Sequence, residues 1–350
     1  MQSWRIPGAV LLFGWVAPLT AQTDRITIYG FFDAELHATN ERGGPPWTFA
    51  QHHFNVITIY RLSEHWRVFA EIEWEHGPNI EAGGGSGEVV LERAALEYKR
   101  NDAFQAKVGK FQPPFGLYNM LHDASPTFLS TALPTSLYGE HTNPLGEDEE
   151  LIPEAGTGLQ VLGRVATKGW RGEYFVYLSN GRGPEPAQQD NNHDKGVGAR
   201  LVVGLPGGAT QIGASYYADR NGDAGNTKQR LIGLDVTARY AEFYLEAEAF
   251  TPRLERVDPE GLPNGTFRTA RGYYVQLSRP VGPRLTPFAR YDFYDSDTDT
   301  SDDAERDIVL GLNMAVTPAI WLKGEVHFRS FQDPALERFQ DFAGAVAVAF

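Results

Sequence analysis

The feature that most constrains this chain is a rhythm. Sixteen stretches alternate apolar with polar side chains, and the connections between them are alternately short and long. The stretches run 26–38, about 49–62, 66–76, 88–99, 103–111, 156–167, 170–179, 195–205, 209–219, 228–240, 242–251, 268–279, 285–294, 305–317, 320–330 and 339–350. A period of two places successive side chains on opposite faces of a strand. Short turns such as Lys168-Gly169 and Pro206-Gly207-Gly208 alternate with long Gly-, Pro- and Asp-rich loops. A soluble sandwich gives no reason for that regularity. An antiparallel barrel crossing a bilayer does, with turns on one side and loops on the other. Roughly 9–11 residues cross the hydrocarbon at a tilt, and these stretches are that long. The second stretch is ambiguous, because 54–60 fits either phase.

The last stretch, FQDFAGAVAVAF, sets Phe342, Gly344, Val346, Val348 and Phe350 on one face and Ala343, Ala345, Ala347 and Ala349 on the other. An apolar edge strand in water invites aggregation. In a closed barrel the last strand pairs with the first, and no edge is left.

Composition fits this reading. The chain has no Cys, which excludes disulfides and thiolate chemistry. Beyond the N-terminus no run of 18 apolar residues could form a spanning helix. A mean hydropathy of −0.35 suits a barrel, whose inner face and loops are polar. Residues 1–21 read as a secretory signal, with Arg5 before the apolar run Ala9–Ala17 and a small residue, Ala21, at the cut. Removing it leaves 30 basic against 45 acidic residues. So acidic a chain is a poor partner for nucleic acid.

With the apolar parity against lipid, the other parity collects the charges. A midplane Lys or Arg on the lipid face costs ~2–4 kcal/mol, so this segregation is enforced. The predicted basic wall includes Arg67, Arg93, Lys107, Arg164, Arg200, Arg239, Arg268, Arg290 and Arg329. Acidic rows include Glu71, Glu73 and Glu75, and Glu242, Glu246 and Glu248.

Residues 112–153 show no strand pattern and are too long for a hairpin loop. Their apolar residues must pack against something, and a barrel offers its lumen. The expected acidic constriction comprises Glu140, Glu147, Asp148, Glu149, Glu150 and Glu154. A folded-in acidic loop opposite an Arg-rich wall implies a hydrated channel with a weak cation preference.

The opening strand RITIYGFFDAEL looks like that of Gram-negative porins, and KVGKFQPPFGLYN (107–119) is similar to a strand-then-loop segment of the phosphate-selective-porin-like family. The terminal Phe350 resembles the assembly signal of outer-membrane barrels. The resemblance implies a trimeric sixteen-stranded barrel with its third loop folded into the pore, inserted by barrel-assembly machinery among lipid and lipopolysaccharide. With 7 Lys against 24 Arg and an acidic balance, phosphate selectivity is not carried over.

The expected fold is therefore an all-β transmembrane antiparallel barrel, and the expected function passive diffusion of small hydrophilic solutes and ions. The alternatives are a substrate-specific channel, a blocked structural barrel, and a hydrolase using His122, Asp123 and Ser125. No cofactor is expected, and no metal, since no two His share a strand face at metal spacing. The Asp-rich loop 295–303 could bind divalent cations or bridge lipopolysaccharide, but Thr300 stands where a calcium loop needs Gly.

Overall fold

A computed structural model describes residues 25–44, 47–75, 89–121, 124–142, 148–182, 192–221 and 226–350. The proposed signal, residues 1–21, lies outside them.

Sixteen antiparallel strands close into a barrel. They are β1 Ile26–Thr39, β2 His53–Arg61, β3 Trp66–Glu75, β4 Val89–Asn101, β5 Phe104–Phe111, β6 Gly156–Thr167, β7 Trp170–Ser179 and β8 Gly196–Gly204. The others are β9 Thr210–Arg220, β10 Lys228–Tyr240, β11 Phe243–Val257, β12 Arg271–Ser278, β13 Leu285–Asp295, β14 Ala304–Thr317, β15 Ile320–Phe331 and β16 Phe339–Ala349. Each pairs with the next, and β1 closes on β16 from Phe31↔Ala349 to Thr39↔Asp341. Two short strands, Thr48–Ala50 and Pro263–Thr269, continue the lines of β2 and β12 along their partners β1 and β11.

Alternation fixes the two faces. On β14, Ile308, Leu310 and Leu312 are exposed while Asp307, Val309 and Asn313 are buried. On β10, Leu234 is 60% exposed and its neighbour Asp235 only 6%. The exposed band suits hydrocarbon, and the buried face is the inside of the closed sheet. The second strand takes the phase with His53, Asn55 and Ile57 inward and Phe54 and Tyr60 outward. Turn chemistry sets the hairpins. Lys168 (φ 47°) and Gly169 (φ 87°) both take the left-handed conformation between the paired residues Thr167 and Trp170, as a two-residue type I′ turn requires.

Two irregularities re-aim side chains. A bulge where β3 meets β4, between Glu71 and Ile72, shifts the phase of β4. Leu91 is exposed, Glu92 is buried, and Arg93 reaches Glu71. At Gln51-His52 the strand is interrupted before β2. The rings of His52 and His53 lie 3.8 Å apart on the same side as a result.

Candidate functional site

The segment between β5 and β6 is fastened to inner-face side chains of five strands. Phe115 is fully buried, and Gly116 turns the chain at φ 60°, where an added Cβ would run into the Tyr138 hydroxyl and Glu248. The Gly116 amide donates to Ser215 Oγ on β9 (3.2 Å) and the Leu117 amide to Glu248 Oε2 on β11 (2.8 Å). The Tyr118 and Tyr138 hydroxyls donate to Glu246 (2.8 Å) and Glu248 (2.9 Å). Farther on, the Thr131 and Ala132 amides share the two oxygens of Glu325 on β15, at 3.0 and 2.9 Å. Lys323 Nζ donates to the carbonyls of Ser125 (2.5 Å) and Ser130 (2.9 Å). Asn119 ties the ends of the segment together by donating to the carbonyls of Pro113 (2.8 Å) and Pro153 (3.0 Å).

An apolar cluster lies where this segment meets the wall, combining Phe115, Leu137, Tyr138, Leu151 and Ile152 with Tyr217, Leu231, Phe250 and Tyr274. A short helix, Thr135–Tyr138, packs on β12 and β13, and a 3₁₀ turn, Ser125–Thr127, packs on β1 and β16. The small buried residues Ala343, Ala345 and Ala347 of β16 leave room there.

Beside the segment lies a cavity of about 280 Å³. The wall gives it Asp33, Glu35, His37, His52 and His53, and the segment gives it Tyr118, Asn119, Glu150 and Glu154 among others.

The anticipated acidic loop residues scatter. Glu140 is exposed in a small hairpin, Glu140–Thr142 with Asp148–Glu150. Glu147 lies outside the described residues, as do the side chains of Asp148 and Glu149. Only Glu150 and Glu154 reach the cavity among the described side chains.

Seven of the nine basic residues meet carboxylates or rings on the wall itself. Arg67 and Lys107 (3.0 Å) both pair with Glu97, Arg93 with Glu71, Arg164 with Glu173 (3.3 Å) and Arg329 with Asp341 (2.8 Å). Arg200, 4% exposed, pairs with Asp235. Arg239 lies over the Tyr244 ring at 5.0 Å, and Arg268 sits in the extension Pro263–Thr269. Arg290, 1% exposed, donates to Ser130 Oγ (3.3 Å) and the Ala132 carbonyl (3.1 Å). Arg200 and Arg290 are thus engaged away from the acidic loop residues. Wall carboxylates Glu246, Glu248, Asp292 and Glu325 take the loop's amides and hydroxyls instead. These anchors were on the expected inner parity, but their partners lie too far away in sequence to read.

Of the hydrolase set, His122 and Asp123 lie outside the described residues, and Ser125 faces Lys323. In the Asp-rich loop, burial acts to raise the Asp303 pKa. Hydrogen bonds from the Ser296 and Thr300 hydroxyls and the Asp297 amide outweigh it and hold the carboxyl below its ordinary range. Asp303 is thus satisfied within the loop, while Asp295 and Asp297 pair with Arg271 of β12 (3.1 Å) and Arg256 of β11.

No family model matches the chain, and no curated protein matches it. Solved structures do. The anion-selective porin from Comamonas acidovorans is 12% identical, with 93% of this chain and 99% of that one covered and a TM-score of 0.67. A loop-L8 deletion mutant of OmpT, an outer membrane protein of Vibrio cholerae, is 12% identical over 93% and 99%, with a TM-score of 0.64. The outer membrane channel DcaP of Acinetobacter baumannii is 12% identical over 93% and 97%, with a TM-score of 0.58. At such identity the likeness is one of fold. The chain has the architecture of a bacterial outer-membrane β-barrel of the porin type.

Proposed function

We propose that this protein is an outer-membrane channel, a homotrimer passing small hydrophilic solutes and ions by diffusion, with a preference for cations and no catalytic role. The observation that carries the reading is the division of the closed sheet. Large apolar side chains cover the outside, and charged ones line the inside. Such an interior suits water and ions and serves no soluble core.

The segment 112–153 is read as a constriction folded into the lumen. Its support is the set of anchors to inner-face side chains from β9 to β15. The cation preference rests on Asp33, Glu35, Glu150 and Glu154 around the cavity, while Arg200 and Arg290 are engaged elsewhere. The anion selectivity of the Comamonas porin is not transferred. A substrate-selective channel of the same architecture is the second reading. It is favoured by the many fixed attachments of the segment, which hold one cavity shape.

The test is conductance of the refolded protein in a planar bilayer under a salt gradient. Stepwise openings with a cation-selective reversal potential are expected. A folded barrel without conductance, or one selective for anions, overturns the reading. Saturable block by a single solute would identify the selective form.

A further inference from the structure

We propose that His53, Glu73 and Glu75 form a site for a divalent transition-metal ion of the zinc type, on the inner wall where β2 meets β3, with Asp33 orienting the imidazole. One donor atom from each of His53, Glu73 and Glu75 lies within 4.8 Å of the other two. The registers that bring them together are His53↔Glu75 and Asn55↔Glu73 across β2 and β3.

The arrangement around His53 is specific. Its Nδ1 lies 3.0 Å from Asp33 Oδ2, and Asp33 Oδ1 accepts the His53 amide at 3.0 Å. A carboxylate holding Nδ1–H fixes the tautomer and leaves Nε2 with its lone pair, as in carboxylate–histidine–metal triads. That Nε2 points to Glu73 Oε1 at 3.9 Å. This is beyond hydrogen-bond length. It is close to the ~3.4 Å that separates two ligands on a tetrahedral ion with bonds of ~2.1 Å. His53, Asp33 and Glu73 are all buried, so the donors are held by their surroundings. The cavity beside Asp33 and His53 supplies an approach.

The donor types choose the metal class. Calcium and magnesium take all-oxygen shells, whereas imidazole with carboxylates suits zinc and its neighbours. The local sequence hides the site. His53 is separated from Glu73 and Asp33 by twenty residues each way, and only strand pairing joins them.

The experiment is calorimetric titration of metal-stripped, refolded barrel in detergent with zinc chloride, with calcium chloride as control. The visible spectrum of the cobalt form supplies a second readout. Wild type is expected to show a saturable zinc site that calcium does not fill. His53→Ala abolishes that site, and Glu73→Gln weakens it at least tenfold. Asp33→Asn, which touches no metal, weakens it 10–100-fold, as an orienting residue should. The proposal is overturned if wild type shows no saturable zinc binding. It is also overturned if a folded His53→Ala barrel binds zinc as wild type does. Should that variant not fold, an unchanged isotherm for Glu73→Gln is equally decisive against it. The assay needs no ion flow, so a barrel that fails to conduct still gives a clear answer here.

Discussion

The amides of Gly30 and Phe350 each donate to the other's carbonyl, at 2.8 and 2.9 Å. This hydrogen-bonded pair fastens the end of the chain to the first strand, so the barrel has no open edge there. The Phe350 ring stacks on Phe54 at 5.7 Å between centroids and crosses the space where a Cβ on Gly30 would stand. Phe350→Ala is therefore expected to cost about 1–3 kcal/mol of barrel stability through lost apolar and ring contact. Gly30→Leu should cost more, because it also meets the Asn55 carbonyl. The temperature at which the folded band converts on a gel should fall for both. An unchanged temperature would show that the seam does not depend on this packing.

The Arg200 and Asp235 pair is buried on both sides, and Ser215 Oγ accepts a further bond from Arg200 at 2.8 Å. Removing one partner strands a charge, so Asp235→Asn is expected to destabilise by about 3–5 kcal/mol. Arg200→Met with Asp235→Leu should lie nearer to wild type than either single change. Urea unfolding in detergent measures this, and a double variant as unstable as the sum of the singles would contradict it.

Glu325 receives two backbone amides of the segment and also contacts His327 Nε2 at 3.1 Å. Hydrogen bonds to a charged acceptor contribute roughly 1.5–3 kcal/mol each. Glu325→Ala should loosen the segment around Thr131 and Ala132, with Lys323 and Arg290 still holding Ser125 and Ser130 and the barrel strands still paired. Faster limited proteolysis within this stretch and a larger single-channel conductance are expected. Gly116→Ala tests the other end, since it disturbs the Tyr138 and Glu248 anchors at a backbone angle that favours glycine. Proteolysis and conductance as in wild type would mean that the apolar cluster and the Lys323 and Arg290 anchors hold the segment without these two.

The barrel was legible because a half-buried strand must alternate. Lys228–Tyr240 shows this plainly, with Leu231 and Asp235 buried and Ile232 and Leu234 exposed. The phase change on β4 was not legible. A bulge opposite Glu71 exposes Leu91 and buries Glu92, and no composition rule marks it. The segment 112–153 stood out by its length and missing period. Its anchors could not be read, because Lys323 and Ser125 are 198 residues apart and meet only when the sheet closes. The expectation of an acidic loop facing an Arg wall came from counting charges by parity. Parity tells which face a residue takes and says nothing of its partners across the sheet, where Arg200 of β8 reaches past β9 to Asp235 of β10.

The proposed cation preference can be tested at particular cavity carboxylates. Glu35 on β1 and Glu154 on the segment both border the cavity. His37 Nε2 lies 2.7 Å from Glu35 and His52 Nδ1 3.5 Å from it, whereas Glu154 is exposed. A unit charge ~4 Å from a passing ion in a water-like medium is worth about 1 kcal/mol, or roughly fivefold in relative permeability. Glu154→Gln, whose carboxylate acts on the ion directly, should lower the cation-to-anion permeability ratio by up to about that factor. Salt should weaken the effect as the Debye length shortens. Glu35→Gln should do less, because His37 and His52 already stand against that carboxylate. Reversal potentials for the two variants at low and high salt make the comparison. If Glu154→Gln leaves the ratio unchanged at low salt, the ions take a path that avoids this cavity, and the proposed basis of a cation preference fails.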